Sequence, residues 1–291
     1  MANLKEIRTR ITSVNSTMQI TSAMKMVSAA KLKRAQNAVV QMRPYAEKLQ
    51  ELLQSISASI DTSDNVFIKP REVEKILIVA LTSNRGLCGG FNNAVIKQIK
   101  KIAAETNSSK IEILPIGKKV YEAFKKGSLL NTHESLPANS EHLWDDLSYD
   151  TISPLAENLM ERFNEGSYDK IILVYNSFKN AGVQILKTEQ FLPIVNSDVS
   201  ETNSSVDYIF EPSKEEIITH LIPNSLKIAL YKAMLDSRAS EHGARMTAMH
   251  KATDNASELI TELKLYYNKA RQASITNEIL EIVGGAEALN N

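Results

Sequence analysis

Residues 3–58 read NLKEIRTRITSVNSTMQITSAMKMVSAAKLKRAQNAVVQMRPYAEKLQELLQSISA. No glycine occurs between Met1 and Arg85, and no proline before Pro44. Leu4, Ile7, Ile11, Val14, Met18 and Thr21 step by 3,4,3,4,3, which predicts one face of a heptad helix. The pattern skips at Met24. It resumes weakly through Ser28, Lys31, Ala35 and Ala38, then strengthens through Met42, Tyr45, Leu49, Leu52 and Ile56. Pro44 removes a backbone donor and should kink the helix or mark a junction. At 1.5 Å per residue such a helix is ~80 Å long, more than one compact domain covers.

The far end of the chain mirrors the near end. From Ser213 onward Pro223 is the only proline, and Gly243 the only glycine before Gly284. Pro223 is expected to open the main helix, because a first-turn residue needs no donor. Ala244, Ala248, Ala252 and Ala256 recur every four residues. Ala256, Leu259, Leu263, Tyr266, Ala270 and Ala273 then step 3,4,3,4,3. Gly284-Gly285 is expected to fray or end this helix. Two long helices with one seam each most simply pair with each other.

The middle, about 65–212, changes character. Lys75–Thr82 (KILIVALT) and Lys170–Tyr175 (KIILVY) read as buried strands. Lys110–Ile116, Gln184–Leu192 and Val206–Phe210 are further strand candidates. Ala94–Glu105, Lys118–Lys126 and Leu155–Phe163 are helical candidates. Strands alternating with helices predict a parallel sheet with crossover helices. Asp198–Ser205 reads as a surface loop. The expected fold is therefore α/β plus α: a Rossmann-like α/β domain, 65–212, inserted into a long antiparallel coiled coil made of 1–60 and 213–291.

Composition sets limits on function. The 291 residues carry 34 Lys+Arg and 34 Asp+Glu, a net charge of zero, against the basic balance of a general nucleic-acid binder. The only cysteine is Cys88, so neither an intrachain disulfide nor a cysteine zinc site is available. No stretch offers the ~20 apolar residues of a membrane span. The first twenty residues are charged and do not read as a secretory signal. Charge is nonetheless segregated. Residues 1–43 are basic, with Glu6 the only acid, and 131–165 are acidic, with Arg162 the only base. Such an asymmetry implies oriented contacts with charged partners.

No catalytic constellation emerges. Gly86, Gly89 and Gly90 follow the first strand as G-x-x-G-G, which is neither dinucleotide nor P-loop spacing. The turn is expected to be structural. His133, His142, His220, His242 and His250 offer no metal-ligand spacing, and Ser240-Glu241-His242 are adjacent on a helix and point to different faces. Cys88 has no neighbouring base and is expected to be a small buried residue. Neither cofactor nor metal is expected. From the residues alone, a shaft, a coiled-coil scaffold or regulator, and an α/β enzyme with a helical appendage stand open. The enzyme lacks its phosphate loop and its acid/base pair.

The segments IRTRITSVNSTMQITSAMKMVSAAKLKRAQ and SRASEHGARMTAMHKATDNASELITELKLYYNKARQASITNEILEIVGGAEAL, with SNRGLCGGFN at Ser83–Asn92, closely resemble the γ subunits of F-type ATP synthases. The resemblance covers essentially the whole chain. It implies a non-catalytic rotor, one copy per complex, whose coiled coil enters the hexamer of α and β subunits. Its α/β domain would meet the ε subunit and the membrane c ring. Proton flow would turn the shaft and drive ATP synthesis on β. By motif position, Arg271 and Gln272 match a pair touching a loop of β. Met24 matches the segment facing the C-terminal lever of β, which Lys31, Lys33 and Arg34 would also face. The single cysteine excludes the redox switch of chloroplast members. The N-terminus shows no mitochondrial transit pattern, so the expected place is the cytoplasmic face of a bacterial inner membrane, held peripherally. The alternative is a non-rotary coiled-coil scaffold.

Overall fold

The computed structural model describes residues 4–57, 66–69, 71–106, 110–131, 136–137, 140–194 and 214–289; of 47, 50–57, 214–219 and 287–289 it describes the helical backbone alone. His133, the loop Asp198–Ser205, the candidate strand Val206–Phe210, and the side chains of Leu52 and Ile56 lie outside that description. The elements in chain order are α1 (Leu4–Ser57), β1 (Lys75–Leu81), α2 (Phe91–Glu105), β2 (Lys110–Ile116), α3 (Lys118–Phe124), α4 (Tyr149–Asn164), β3 (Lys170–Asn180), β4 (Val183–Leu192) and α5 (Lys214–Leu289). A 3-10 turn, Glu141–Trp144, precedes α4. The chain forms two compact units, Met1–Ser28 with Met246–Asn291, and Ala29–Arg245.

In the first unit the two helices run antiparallel. Thr253 Oγ1 lies within hydrogen-bond distance of Thr21 Oγ1 (2.9 Å) and of Met249 O (2.8 Å), and the contact between the two threonines sets the pairing register. Ile7, Thr21, Ala256, Ile260 and Leu263 are buried between them. On α5 the buried and half-buried positions Met249, Thr253, Ala256, Ile260, Leu263, Tyr267, Ala270 and Ser274 keep 4,3,4,3,4,3,4 spacing. The expected seam holds at Ala256, Leu263 and Ala270, but its alternate positions fall one residue short: Leu259 is half-buried, Tyr266 is 51% exposed and Ala273 is exposed.

Along α1 the expected skip at Met24 does not occur. Half-buried Lys25 takes the seam position, and Ser28, Leu32, Ala35, Val39, Met42, Ala46 and Leu49 continue the 3,4 rhythm unbroken. Lys31 and Tyr45, expected on the seam, are exposed. A lysine holds a seam site by burying its methylenes and carrying its ammonium to water. α1 continues through Pro44 without interruption. α5 starts before Pro223 and runs through Gly284-Gly285. Two glycines cost about 1 kcal/mol each relative to alanine, too little to end a helix of 76 residues.

The second unit is built on a four-stranded sheet of order β2-β1-β3-β4. β1 pairs parallel with β2 and β3. β4 is antiparallel to β3, so the sheet is mixed rather than wholly parallel. The hairpin turns at Ala181-Gly182, where Asn180 Oδ1 accepts from the N–H groups of Gly182 and Val183 (3.0 and 2.8 Å). Side-chain alternation along β1 divides the core. Ile76, Ile78 and Ala80 pack under α2 and α3 with Val95, Ile99 and Phe124. Leu77, Val79 and Leu81 face α4 and α5 with Leu159, Phe163, Leu226 and Leu230. Both faces are covered, so β1 is a continuous apolar run. Pro115 sits on the outer strand β2, where its missing donor breaks no ladder. α4 starts six residues earlier than its apolar pattern suggests, with Ser148 Oγ accepting from Thr151 N–H as its cap.

Candidate functional site

The glycine-rich turn after β1 is the first place to look for chemistry, and its hydrogen bonds point the wrong way for a phosphate. Ser83 N–H donates to Asn92 Oδ1 (3.0 Å), and Asn92 Nδ2 donates to Ser83 Oγ and to Cys88 Sγ (2.9 and 3.1 Å). Leu87 and Gly89 hold positive φ of 61° and 59°. The N-terminal amides of α3 are already occupied: Lys118 N–H by Asn84 Oδ1, Lys119 N–H by Ser83 O, and Val120 N–H by Thr82 Oγ1. What the turn presents is carbonyl oxygen. Arg245 of α5 fills it, donating from Nη2 to Arg85 O (2.9 Å) and Gly86 O (3.3 Å), and from Nη1 to Glu241 Oε1 (2.6 Å). A phosphate cradle needs converging donors at a helix N-terminus. Here converging acceptors hold a guanidinium, so the turn is a joint between α5 and the sheet.

Cys88 is buried against Phe91 and Ala244, and burial pushes its thiol up, away from the thiolate a nucleophile requires. His220 and His250 are exposed, and His250 pairs with Asp254 on the same helix. His242 is 8% exposed and its Nδ1 finds no partner among the described residues. Burial first, and then the charges of Arg245, Arg238 and Lys31, lower its pKa to about 4. It is therefore neutral in the fold and protonated more readily in the unfolded chain. Stability is complete above the unfolded value near 6.5 and declines as pH falls toward 4. Between pH 7.5 and 5 this one group should remove about 2 kcal/mol. Unfolding free energies from urea titrations at the two pH values should differ by that amount. In His242→Gln that part of the difference should disappear; an unchanged pH dependence would exclude the histidine as its cause.

Among the described residues no cluster of histidine, cysteine and carboxylates can hold a metal ion. A groove of about 450 Å³ in the second unit contains Lys187 and Glu189, but these pair with each other at 2.7 Å, and Glu189 also accepts from Tyr175 Oη. A second polar knot ties α1, β3 and α5. Arg43 Nη2 donates to Phe178 O at 2.7 Å and reaches Asp236 at 3.5 Å, while Ser177 Oγ donates to Asp236 at 3.1 Å. Burial pushes the Asp236 carboxyl up, against the pull of Arg43 and Ser177. Each of these groups is spent on structure.

Contact surface is what remains. Lys31, Lys33 and Arg34 are exposed on α1, and Arg271 and Gln272 on α5, while Met24 is half-buried. They do not form one cluster. With Thr21 opposite Thr253, Met24 lies opposite about residue 250, and Arg271 is a further ~30 Å along the pair. The sequence reading missed three features: the Arg245 clamp, the Arg43–Asp236 knot and the bare end of α5. Burial on α5 stops at Ser274, about the level of Leu4, where the described part of α1 begins. Beyond it Ile275, Ile279, Leu280, Ile282 and Val283 are 48–71% exposed. Aligning the two seams antiparallel and counting residues would have revealed that overhang. Exposed apolar surface of this extent marks a binding surface. Among the described residues no helix is long and apolar enough to cross a membrane.

Known proteins share this arrangement. A family model described as ATP synthase matches residues 3–289. The ATP synthase gamma chain of Flavobacterium johnsoniae is 59% identical over 291 residues, all of both chains. That of Christiangramia forsetii is 59% identical over 292 residues, again covering both chains completely, and that of Chlorobium phaeobacteroides is 46% identical over 297 residues, 99% of each. Among solved structures, a chain of the rotor of the Euglena gracilis mitochondrial ATP synthase aligns with a TM-score of 0.61 at 21% identity, covering 94% of this chain and 98% of that one, which shows a common fold.

Proposed function

Because the chain belongs to the ATP synthase gamma-chain family, we propose that it is the central rotor shaft of an F-type ATP synthase, a non-catalytic subunit that couples ion flow through the membrane c ring to ATP synthesis on β. The observation that carries this reading is the pairing of the two chain ends. Distant helices share an uninterrupted 3,4 seam, and α5 projects past α1 with bare apolar side chains. A paired helix resists bending and twisting better than a single one. An apolar end without a partner among the described residues fits the inside of a surrounding ring. Arg245, Glu241, Arg43 and Asp236 are held in structural contacts, which suits a part that transmits force and leaves chemistry to its neighbours.

In this reading 1–60 and 213–291 form the shaft inside the α and β hexamer, and 65–212 the base that meets ε and the c ring. The complex sits at the cytoplasmic face of a bacterial inner membrane, with this chain held peripherally. Met24, Lys31, Lys33, Arg34, Arg271 and Gln272 are its contacts with the hexamer. Contacts that form and break every turn suit exposed charges worth ~0–1 kcal/mol each better than buried pairs.

The test is a titration of the chain into α and β subunits from the same organism, following ATPase rate and complex mass together. Saturation at one copy per hexamer with faster hydrolysis is expected; separate elution with no change in rate would overturn the shaft. Reversing Lys31, Lys33 and Arg34 to glutamate should weaken assembly or torque transfer. Substituting Arg271 and Gln272 with alanine should lower coupling while the helices stay folded. Normal coupling in either variant would remove those residues from the contact set.

A further inference from the structure

In the second unit α1, β3 and α5 meet at a closed triangle of polar contacts. Arg43 of α1 donates from Nη2 to Phe178 O of β3 at 2.7 Å. Ser177 of β3 donates from Oγ to Asp236 Oδ2 of α5 at 3.1 Å. Arg43 Nη2 also reaches the other carboxylate oxygen, Asp236 Oδ1, at 3.5 Å. Each of the three elements is thereby tied to the other two. Around the triangle the same elements meet through apolar side chains. Ala46, Leu49 and Ile228 form one cluster, and Leu173, Leu230, Ala233 and Met234 belong to another.

Stability alone does not account for the triangle. Asp236 is 2% exposed, and desolvation pushes its carboxyl up against the pull of Arg43 and Ser177. Replacing a buried ion pair by apolar residues of similar volume is often neutral or stabilising, so an apolar filling would hold the three elements together at least as well. What such a filling lacks is direction. Apolar contact is non-directional, and packed helices can slide over one another in small steps. A hydrogen bond weakens steeply as its angle closes, and a carboxylate bonded at both oxygens is held from two sides. Three elements tied pairwise in this way resist sliding along every side of the triangle.

We propose that Arg43, Ser177 and Asp236, with Phe178 O, form the torque joint of this chain, where turning force passes between the sheet and the two long helices. The proposal rests on the shaft reading. It adds to that reading the positioning residues that keep the base from slipping on the helices under load.

The experiment compares unloaded with loaded turnover. ATP hydrolysis by the full chain with α and β alone puts no load on the joint, because nothing holds the base. ATP-driven ion pumping into vesicles by the complete complex does load it, and the load grows with the gradient. Ser177→Ala opens one side of the triangle by removing a single oxygen. Loss of a hydrogen bond to a charged group should leave the joint open about tenfold more often. Unloaded hydrolysis should match the parent, while the limiting ion gradient falls and hydrolysis continues against it. The combined variant Arg43→Met, Ser177→Ala and Asp236→Leu should melt at or above the parent temperature and lose still more of the limiting gradient, which separates slipping from unfolding. Lys227→Gln is the control: it removes the pair between α5 and Glu157 of α4 and should pump like the parent. If the parent pumps and either joint variant, once assembled, reaches the same limiting gradient, the joint is overturned and the shaft reading stands. A control that slips as far as the joint variants would overturn it as well. Unloaded rates that fall in step with pumping would make the triangle a folding contact and overturn its role in torque. A parent chain that neither joins α and β nor speeds their hydrolysis would overturn the shaft reading and the joint with it.

Discussion

Replacing Arg245 with methionine should destabilise the second unit by about 3–5 kcal/mol, the range for breaking a buried ion pair from one side. The guanidinium is the shared donor for Arg85 O, Gly86 O and Glu241 Oε1. Its side chain is 10% exposed, and that of Glu241 13%. Methionine fills similar space but leaves a carboxylate and two carbonyls without their donor in a poorly hydrated place. Two companions separate this cause from loss of volume. Arg245→Lys should recover only part of the loss, because an ammonium on a flexible stem cannot reproduce the planar fork. Arg245→Met combined with Glu241→Met should be more stable than Arg245→Met alone, since the stranded charge is gone. Urea denaturation read by circular dichroism gives all three values. A single-variant loss below about 1 kcal/mol would mean that water reaches the joint and that the clamp is weak.

Gly117→Ala should cost about 3 kcal/mol or more, from two sources that add. Gly117 joins β2 to α3 at φ 111° and ψ 147°, a conformation that L residues avoid. A Cβ built there would run into the carbonyl group of Thr82, whose Oγ1 meanwhile accepts from Val120 N–H. The obstacle is backbone just past the end of the adjacent strand β1, tied to β2 by Thr82 N–H donating to Ile116 O, so it cannot swing aside. Other glycines provide the scale. Gly166, at φ 74° with open space around it, should lose about 1–2 kcal/mol on change to alanine, from backbone strain alone. Gly86, with open space and no positive φ, should change little. Thermal melts of the three variants should fall in that order. If Gly117→Ala and Gly166→Ala lost equal stability, the Thr82 approach would contribute nothing.

These two positions also illustrate what a sequence conceals. The strands KILIVALT and KIILVY were legible because β1 and β3 are covered on both faces, and a doubly buried strand has no choice but to be apolar. The helix pair was legible from its 3,4 spacing. The register within it was not. Reading the seam by side-chain apolarity favours Met24 over Lys25 and cannot choose between Tyr266 and Tyr267, whereas burial follows helix geometry and accepts a lysine stem or a tyrosine according to position. The antiparallel return of β4 rests on an Asn180 side chain that bonds the two following amides, a local signal easily passed over between two apolar runs. Arg245 gave no signal at all. Apart from Glu241 one turn before it, its partners are main-chain oxygens about 160 positions earlier in the chain, and carbonyls carry no sequence identity. The six contact residues were read from resemblance. Five of them are exposed and Met24 is half-buried.

The unbroken alternation of three and four in the first unit carries a mechanical consequence. An average of 3.5 residues per repeat falls short of the 3.6 of a straight helix, so two helices that keep such a seam together coil about one another with a left hand. A two-strand rope of fixed hand is not neutral to the sense in which its ends are turned. Turned with its lay, the strands are drawn inward and the side chains seat more deeply between their neighbours. Turned against it, the strands are eased apart. The chirality of the amino acids, passed upward through the helix to the pair, thus gives this rod different torsional stiffness in its two directions of rotation.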